Sequence, residues 1–243
     1  MIKKIINHLL WRYDILTNII IPERYYTYKL PKQIMAGPFA GMKYANAHPP
    51  GGVILPKIIG TYEDEIEFVW EEARNKKYDA FIDVGAGEGY YSVGIKKYIF
   101  PNIPSIGFEM QAANRRGVKR LAKDNNVNVV IKGTCNLPDL KAEVEGKKIL
   151  LLMDVEGYER ELLDTTAIDF SATDIIVEVH PTYDADLEQK LIDRFKSTHT
   201  IKVIQKNIKK LPDIKYPDWV YKKSHFAMDE FRGPQSWLWI TAN

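Results

Sequence analysis

Apolar residues along this chain fall into two patterns, short unbroken runs and stripes at helical spacing. The runs are Ala80–Val84, Ser105–Phe108, Val127–Ile131, Ile149–Val155 and Ile175–Val179, followed by Ile201–Ile204 and Trp237–Thr241. Each has the length of a strand. Between them Val118, Leu121 and Ala122 form one helical stripe, and Leu187, Leu191, Ile192 and Phe195 form another. A further helix is predicted over Thr61–Arg74, with Thr61 as N-cap and Glu63, Asp64 and Glu65 favouring its positive end. Ile66, Val69 and Trp70 then face inward. Apolar strands alternating with amphipathic helices predict an α/β fold, a doubly wound, mostly parallel sheet of seven strands with helices on both faces.

The first 50 or so residues read differently, with Pro22, Pro31, Pro38, Pro49 and Pro50 and little alternation. We divide the chain into an N-terminal extension of helix and loops, residues 1–60, serving as a cap or partner contact, and a main domain, residues 61–243. Met1 to Pro22 places Lys3 and Lys4 before an apolar stretch, as a signal peptide does. Asn7, His8, Arg12 and Asp14 interrupt it, and no small-residue cleavage site follows. It is too broken to span a membrane and reads as an amphipathic helix packed on the domain. The 30-odd residues before the last strand, with Trp219, Tyr221, His225 and Phe231, are predicted to pass over the active face.

Composition narrows the class. Apolar residues make up 45% of 243 and charged residues 27%, so a folded core is expected. The 34 basic and 32 acidic side chains leave a net charge of +2, which gives no general pull toward nucleic acid. Cys135 is the single cysteine. An internal disulfide and a multi-thiolate zinc site are thereby excluded, and a reducing, cytoplasmic compartment fits.

The most informative segment is Asp83-Val84-Gly85-Ala86-Gly87-Glu88-Gly89-Tyr90-Tyr91-Ser92. A buried strand runs into a glycine-rich turn and then a helix. Such a turn lets a ligand approach the main chain, and the helix start offers free amides. The spacing is Asp-x-Gly-x-Gly-x-Gly rather than the dinucleotide fingerprint, which disfavours a nicotinamide oxidoreductase. Asp83 is placed to accept from an ammonium or from loop amides. Glu109 ends the next strand, 20 residues after Gly89, where nucleotide-binding sheets bind ribose hydroxyls. Met110 beside it is placed to pack on a base. Asp154 and Glu156 emerge at the end of the fourth strand and His180 at the end of the fifth, pointing to the same rim. His180 is the favoured proton acceptor, because its unperturbed titration lies nearest neutrality. Glu156 orients an acceptor hydroxyl or exchanges roles with His180, and Asp154 faces the cofactor. Asp154, Glu178 and His180 have donors suited to a divalent metal, but no close-spaced ligand motif demands one and none is assigned. His48 with its Pro-Pro-Gly-Gly neighbours, and Lys57, are left outside the catalytic set.

The loop and the acidic end of the second strand resemble the class of methyltransferases that bind S-adenosylmethionine on a Rossmann-like sheet. That resemblance implies that Gly85, Ala86 and Gly87 line the methionine and ribose. It implies that Glu109 holds the ribose, that Met110 touches the adenine, and that Thr134 and Cys135 lie near the adenine edge. Asp154-Val155-Glu156-Gly157 followed by Glu178-Val179-His180-Pro181 is, more narrowly, similar to the FkbM-type methyltransferases. The lead-in Gly60-Thr61-Tyr62-Glu63 is similar too, and places Tyr62 and Glu63 over the cofactor end. Of Tyr90 and Tyr91, one faces the ligand and the other packs in the core. Glu88 departs from the small or amide residue common in that family. The implied activity is O-methylation of a hydroxyl on a sugar, glycan or related small molecule. A binding module without catalysis, or a non-sugar natural product as acceptor, is the alternative. Nucleic acid is disfavoured as a substrate, since the aromatic Asn/Asp-Pro-Pro-Tyr sequence is missing from the fourth strand.

Overall fold

The computed structural model describes residues 21–44, 53–233 and 235–243. Most of the predicted amphipathic helix at the N-terminus, and His48 to Gly52, lie outside the described residues. The strands are β1 (Ala80–Val84), β2 (Ser105–Phe108), β3 (Val130–Lys132), β4 (Ile149–Met153), β5 (Thr173–Val179), β6 (His199–Gln205) and β7 (Ser236–Ala242). They form one seven-stranded sheet in the order β3-β2-β1-β4-β5-β7-β6. β1 to β5 are parallel, and β7 runs antiparallel between β5 and β6. The predicted fold class is therefore the observed one.

Every residue of β1, β4 and β5 is buried. Alternation along the strands sorts their side chains to two faces. Phe81, Leu150, Leu152, Ile176, Trp237 and Trp239 lie on one face. Ile82, Val84, Leu151, Met153, Ile175, Val177 and Leu238 lie on the other. The second face is covered by the helices Leu137–Val144 and Leu187–Phe195, through Leu140, Val144, Leu187, Leu191 and Phe195. The first face is covered by the helix Glu67–Arg74 and by the N-terminal extension, whose Ile34, Phe39, Met42, Tyr44, Leu55, Ile58 and Ile59 join the same cluster.

Several boundaries shift for identifiable reasons. β3 starts at Val130, and Val127 and Val129 pack on the core before pairing begins. β4 ends at Met153, so Asp154 has already left the ladder. The helix expected from Thr61 starts with a 3₁₀ turn, Asp64–Ile66, and becomes α-helical at Glu67. Thr61 is not its cap. Its hydroxyl is buried without a hydrogen-bond partner, and Glu63 adopts a left-handed φ of 50° that breaks the turn away. The helix Leu137–Val144 was not predicted. Asn136 caps it by accepting from the Asp139 amide at 2.9 Å, and Pro138 occupies its first turn.

The long segment between β6 and β7 forms two short helices, Asp218–Lys222 and Ser224–Met228. It lies against the N-terminal extension. Trp219 stacks on Tyr26 with ring centres 4.5 Å apart, and the Tyr216 hydroxyl donates to the Ile59 carbonyl at 2.7 Å. No helix among the described residues is long and apolar enough to cross a membrane.

Candidate functional site

The glycine loop is shaped by its neighbours. The amides of Gly85 and Ala86 both donate to the Phe108 carbonyl at 2.9 Å, and the Asp154 amide donates to the Val84 carbonyl at 2.9 Å. Gly85 has φ +93°, and a Cβ there would lie 1.7 Å from the Asp154 carbonyl oxygen. Only glycine lets the loop cross the end of β4 this closely. Two residues on, Gly87 (φ +52°) has nothing within 4 Å of where its Cβ would be, so this part of the loop faces open space.

Glu109, buried at the end of β2, grips the loop from the other side. Its Oε2 accepts from the Gly87 amide at 2.9 Å, and its Oε1 accepts from Gln111 N at 2.6 Å. The Glu109 amide in turn donates to the Gly133 carbonyl at 3.1 Å, bringing the turn before Thr134 alongside. Met110 is exposed beside it, Thr134 is exposed, and Cys135 is half-buried, with burial pushing its thiol up to about 12. Gly85, Ala86, Gly87 and Glu109 thus form one cradle, with Met110 and Thr134 at its border.

Other residues expected to touch a ligand face inward. Asp83 is buried, and its Oδ2 accepts from Ser92 Oγ at 2.5 Å. It ties β1 to the helix after the loop. Burial pushes its carboxyl up to about 7, against the Ser92 hydrogen bonds. Tyr90 is buried among Phe39, Tyr44 and Tyr62. Tyr91 is half-buried and donates to Glu63.

Glu88 was noted only as a departure, and Lys57 was set aside. The structure joins them: Lys57 Nζ lies 2.5 Å from Glu88 Oε1, with both side chains buried. The Tyr44 hydroxyl donates to the same oxygen, and the ammonium lies 4.5 Å from the centre of the Tyr62 ring. Burial alone would raise the Glu88 pKa. Lys57 and Tyr44 outweigh it and hold the carboxyl below its ordinary value. The N-terminal extension is thereby clamped to the glycine loop.

The second half of the site lies at the ends of β4 and β5. His180 is 2% exposed and sits among four carboxylates. Its Nδ1 lies 2.7 Å from Glu159 Oε1, a buried oxygen that fixes the ring. Its Nε2 lies 3.3 Å from Glu178 Oε2, 3.5 Å from Asp154 Oδ1 and 3.9 Å from Glu156 Oε2. Burial would lower the His180 pKa, but Glu159, Glu178 and Asp154 together raise it to about 10. Burial, with Glu178 and Glu63 nearby, pushes Asp154 well above the usual carboxylate range. Neither His180 Nε2 nor Asp154 Oδ1 has a hydrogen-bond partner among the described residues.

Glu156 is the exposed member of the group. It has a left-handed φ of 53°, as do Glu63 and Phe231 (50° and 52°), an unusual conformation for residues with a side chain. Glu63 and Glu156 both belong to this rim, and sites often retain strain of this kind. Tyr183 donates to Glu156 Oε2 at 3.3 Å, and Tyr183 and Tyr158 are both exposed.

Arg232, from the long segment before β7, closes the rim from behind. Its guanidinium reaches Glu63 and Glu65 at 2.7 Å, Glu178 Oε1 at 2.9 Å and Glu230 at 3.2 Å. Lys209 adds contacts to Asp64 at 2.5 Å, Glu65 at 2.6 Å and Glu230 at 3.0 Å. Burial still pushes Glu63 up to about 7, despite Arg232. The long segment thus reaches the rim through Arg232, bonds Glu63, Asp64 and Glu65 through Glu230 and Lys209, and packs its two short helices on the extension. Sequence reading missed Glu159, Arg232 and Lys209. Glu159 had a signal in its place three residues after Glu156, but the two cations lie in a stretch without periodicity.

No protein-family model matches the chain, and no curated protein matches it. Solved structures do. An O-methyltransferase from Bacillus cereus in complex with SAH aligns at TM-score 0.51 and 9% identity, over 72% of this chain and 79% of its own. Precorrin-6y C5,15-methyltransferase from Geobacter metallireducens aligns at 0.51 and 14%, over 75% and 90%. The O-methyltransferase TomG from Streptomyces achromogenes, involved in tomaymycin synthesis and solved with SAM, aligns at 0.50 and 12%, over 72% and 78%. At such identities the likeness is one of fold. The chain has the Rossmann-like, class I methyltransferase fold.

Proposed function

We propose that this protein is an S-adenosylmethionine-dependent O-methyltransferase whose acceptor is a hydroxyl of a sugar, glycan or related small molecule. One observation carries the reading. The loop that presents open backbone at Gly87, with Glu109 bonded to it, rests through Gly85 on the backbone of Asp154. A cofactor cradle and an acceptor rim are therefore contiguous.

The cradle fits the cofactor. Each Glu109 oxygen accepts one hydrogen bond from a backbone amide, and a carboxylate has further lone pairs for a ribose diol. The open side of Gly87 leaves room for the nucleoside. Held by the Gly85–Gly87 loop and Glu109, S-adenosylmethionine would supply an electrophilic methyl group with a neutral thioether as its leaving group. The protein's part is to hold the two reactants in line, which supplies much of the acceleration. Asp154, part-exposed at the end of β4 with His180 buried behind it, borders the acceptor side. Glu156, on the open side, takes the hydroxyl proton and passes it to solvent. His180 is worse placed for that step, since its Nδ1 is engaged by Glu159 and its Nε2 is turned inward between Asp154 and Glu178.

The finer FkbM-type reading is supported by the meeting of Asp154-Val155-Glu156-Gly157 and Glu178-Val179-His180-Pro181 at one rim. Location in the cytoplasm is supported by the free thiol of Cys135. A screen of sugar-nucleotide and glycan acceptors with methyl-labelled S-adenosylmethionine tests the reaction, with calorimetry for the cofactor alone. In that assay Glu156→Gln is expected to lower turnover at least about 100-fold with cofactor affinity unchanged. Turnover equal to that of the unaltered protein would remove Glu156 from the mechanism. Absence of cofactor binding would end the methyltransferase reading.

A further inference from the structure

We infer that Asp154, Glu178 and His180 bind a divalent cation of the first transition row. One ligand atom from each of the three lies within 4.8 Å of the others. Clustered carboxylates alone do not make a metal site, and here three further features are present. First, the imidazole is almost wholly buried and its Nε2 has no hydrogen-bond partner, although it is aimed between two carboxylates. Second, its separations of 3.3 Å from Glu178 Oε2 and 3.5 Å from Asp154 Oδ1 match those of ligands sharing an ion. Two ligands at ~2.1 Å from one ion, 90–110° apart, stand roughly 3.0–3.5 Å from each other. Third, Glu159 holds Nδ1 at 2.7 Å. A carboxylate behind a histidine fixes the ring and its tautomer in many metal sites.

The surroundings divide the work. Arg232 takes Glu178 Oε1 and leaves Oε2 facing the histidine. Asp154 Oδ1 is also without a hydrogen-bond partner. An imidazole with two carboxylates suits Mn²⁺, Fe²⁺ or Zn²⁺ better than the all-oxygen preference of Ca²⁺ or Mg²⁺. Three protein ligands leave positions open, and an acceptor oxygen would take one of them. That role rests on the methyltransferase reading; the binding of the ion does not.

The test uses the whole chain, stripped with a chelator and titrated with Mn²⁺ alone, followed by electron paramagnetic resonance and calorimetry without cofactor. We expect a single saturable ion per chain. Asp154→Asn and His180→Gln should each weaken it more than roughly tenfold, and Glu159→Gln by roughly 10–100-fold. Far-UV circular dichroism and a thermal melt establish that each variant is folded. Should His180→Gln fail to fold, the part-exposed Asp154→Asn decides. No saturable binding of Mn²⁺, or undiminished binding in folded Asp154→Asn, overturns the inference. S-adenosylmethionine is titrated separately into the stripped protein. Metal binding without cofactor binding upholds the site and refutes the enzyme reading, while the converse refutes only the site.

Discussion

Gly85 and Gly87 sit two residues apart in one loop and answer to different constraints. At Gly85 an added methyl would collide with the backbone of Asp154. Gly85→Ala should therefore destabilise the fold by at least about 3 kcal/mol in urea unfolding. At Gly87 the added methyl meets nothing within 4 Å, so Gly87→Ala should cost only the left-handed backbone, about 1–2 kcal/mol. Its methyl points into the proposed nucleoside space, and S-adenosylmethionine should bind more than roughly tenfold more weakly. Similar stability losses in both variants, with unchanged affinity at Gly87, would refute this division. Both glycines were legible in the sequence as one motif, but their separate duties were not. Gly85 answers to a residue 69 positions later, and spacing along one strand–turn–helix unit does not carry that contact. Lys57 and Glu88 show the same limit, since each reads as an unremarkable charge until the fold places them 2.5 Å apart.

Strands that run straight into a glycine or an acidic residue were the most legible in the sequence. β1 and β2 begin and end as predicted, because apolar runs stopped by glycine or an acidic residue leave little freedom. The edge strand β3 and the segment between β6 and β7 were read poorly, since side-chain contacts rather than periodicity define them. That second segment is held at its far end by one guanidinium among four carboxylates. Replacing Arg232 with Met keeps much of the bulk and leaves Glu63, Glu65 and Glu178 without this buried partner. A loss of about 3–5 kcal/mol is expected in chemical denaturation. The loss should change little between low and high salt, because the group is buried. A loss under 1 kcal/mol would mean that Lys209 suffices as counter-charge.

Across the whole molecule, both faces of the sheet are covered, and Asp83 lies at its centre, on the strand that pairs with both β2 and β4. Its titration is therefore felt by global unfolding. In the folded protein its carboxyl titrates near 7, and in the unfolded chain near the ordinary value of 3.8. The stability it contributes is fully present below about pH 4 and is lost as pH rises through about 7. Asp83→Asn should flatten the decline in stability over that window, by up to a few kcal/mol, when urea unfolding is followed from pH 4 to pH 8. Parallel curves for the two proteins would show that Asp83 titrates normally. The topology carries a consequence for biosynthesis. β6 is attached to the sheet only by β7, which the ribosome makes later. A nascent chain that has released β1 to β5 can pair those strands in parallel while β6 still waits without a neighbour. The final strand then slots in between, so the exposed edge of β5 is the moment of greatest vulnerability to off-pathway pairing.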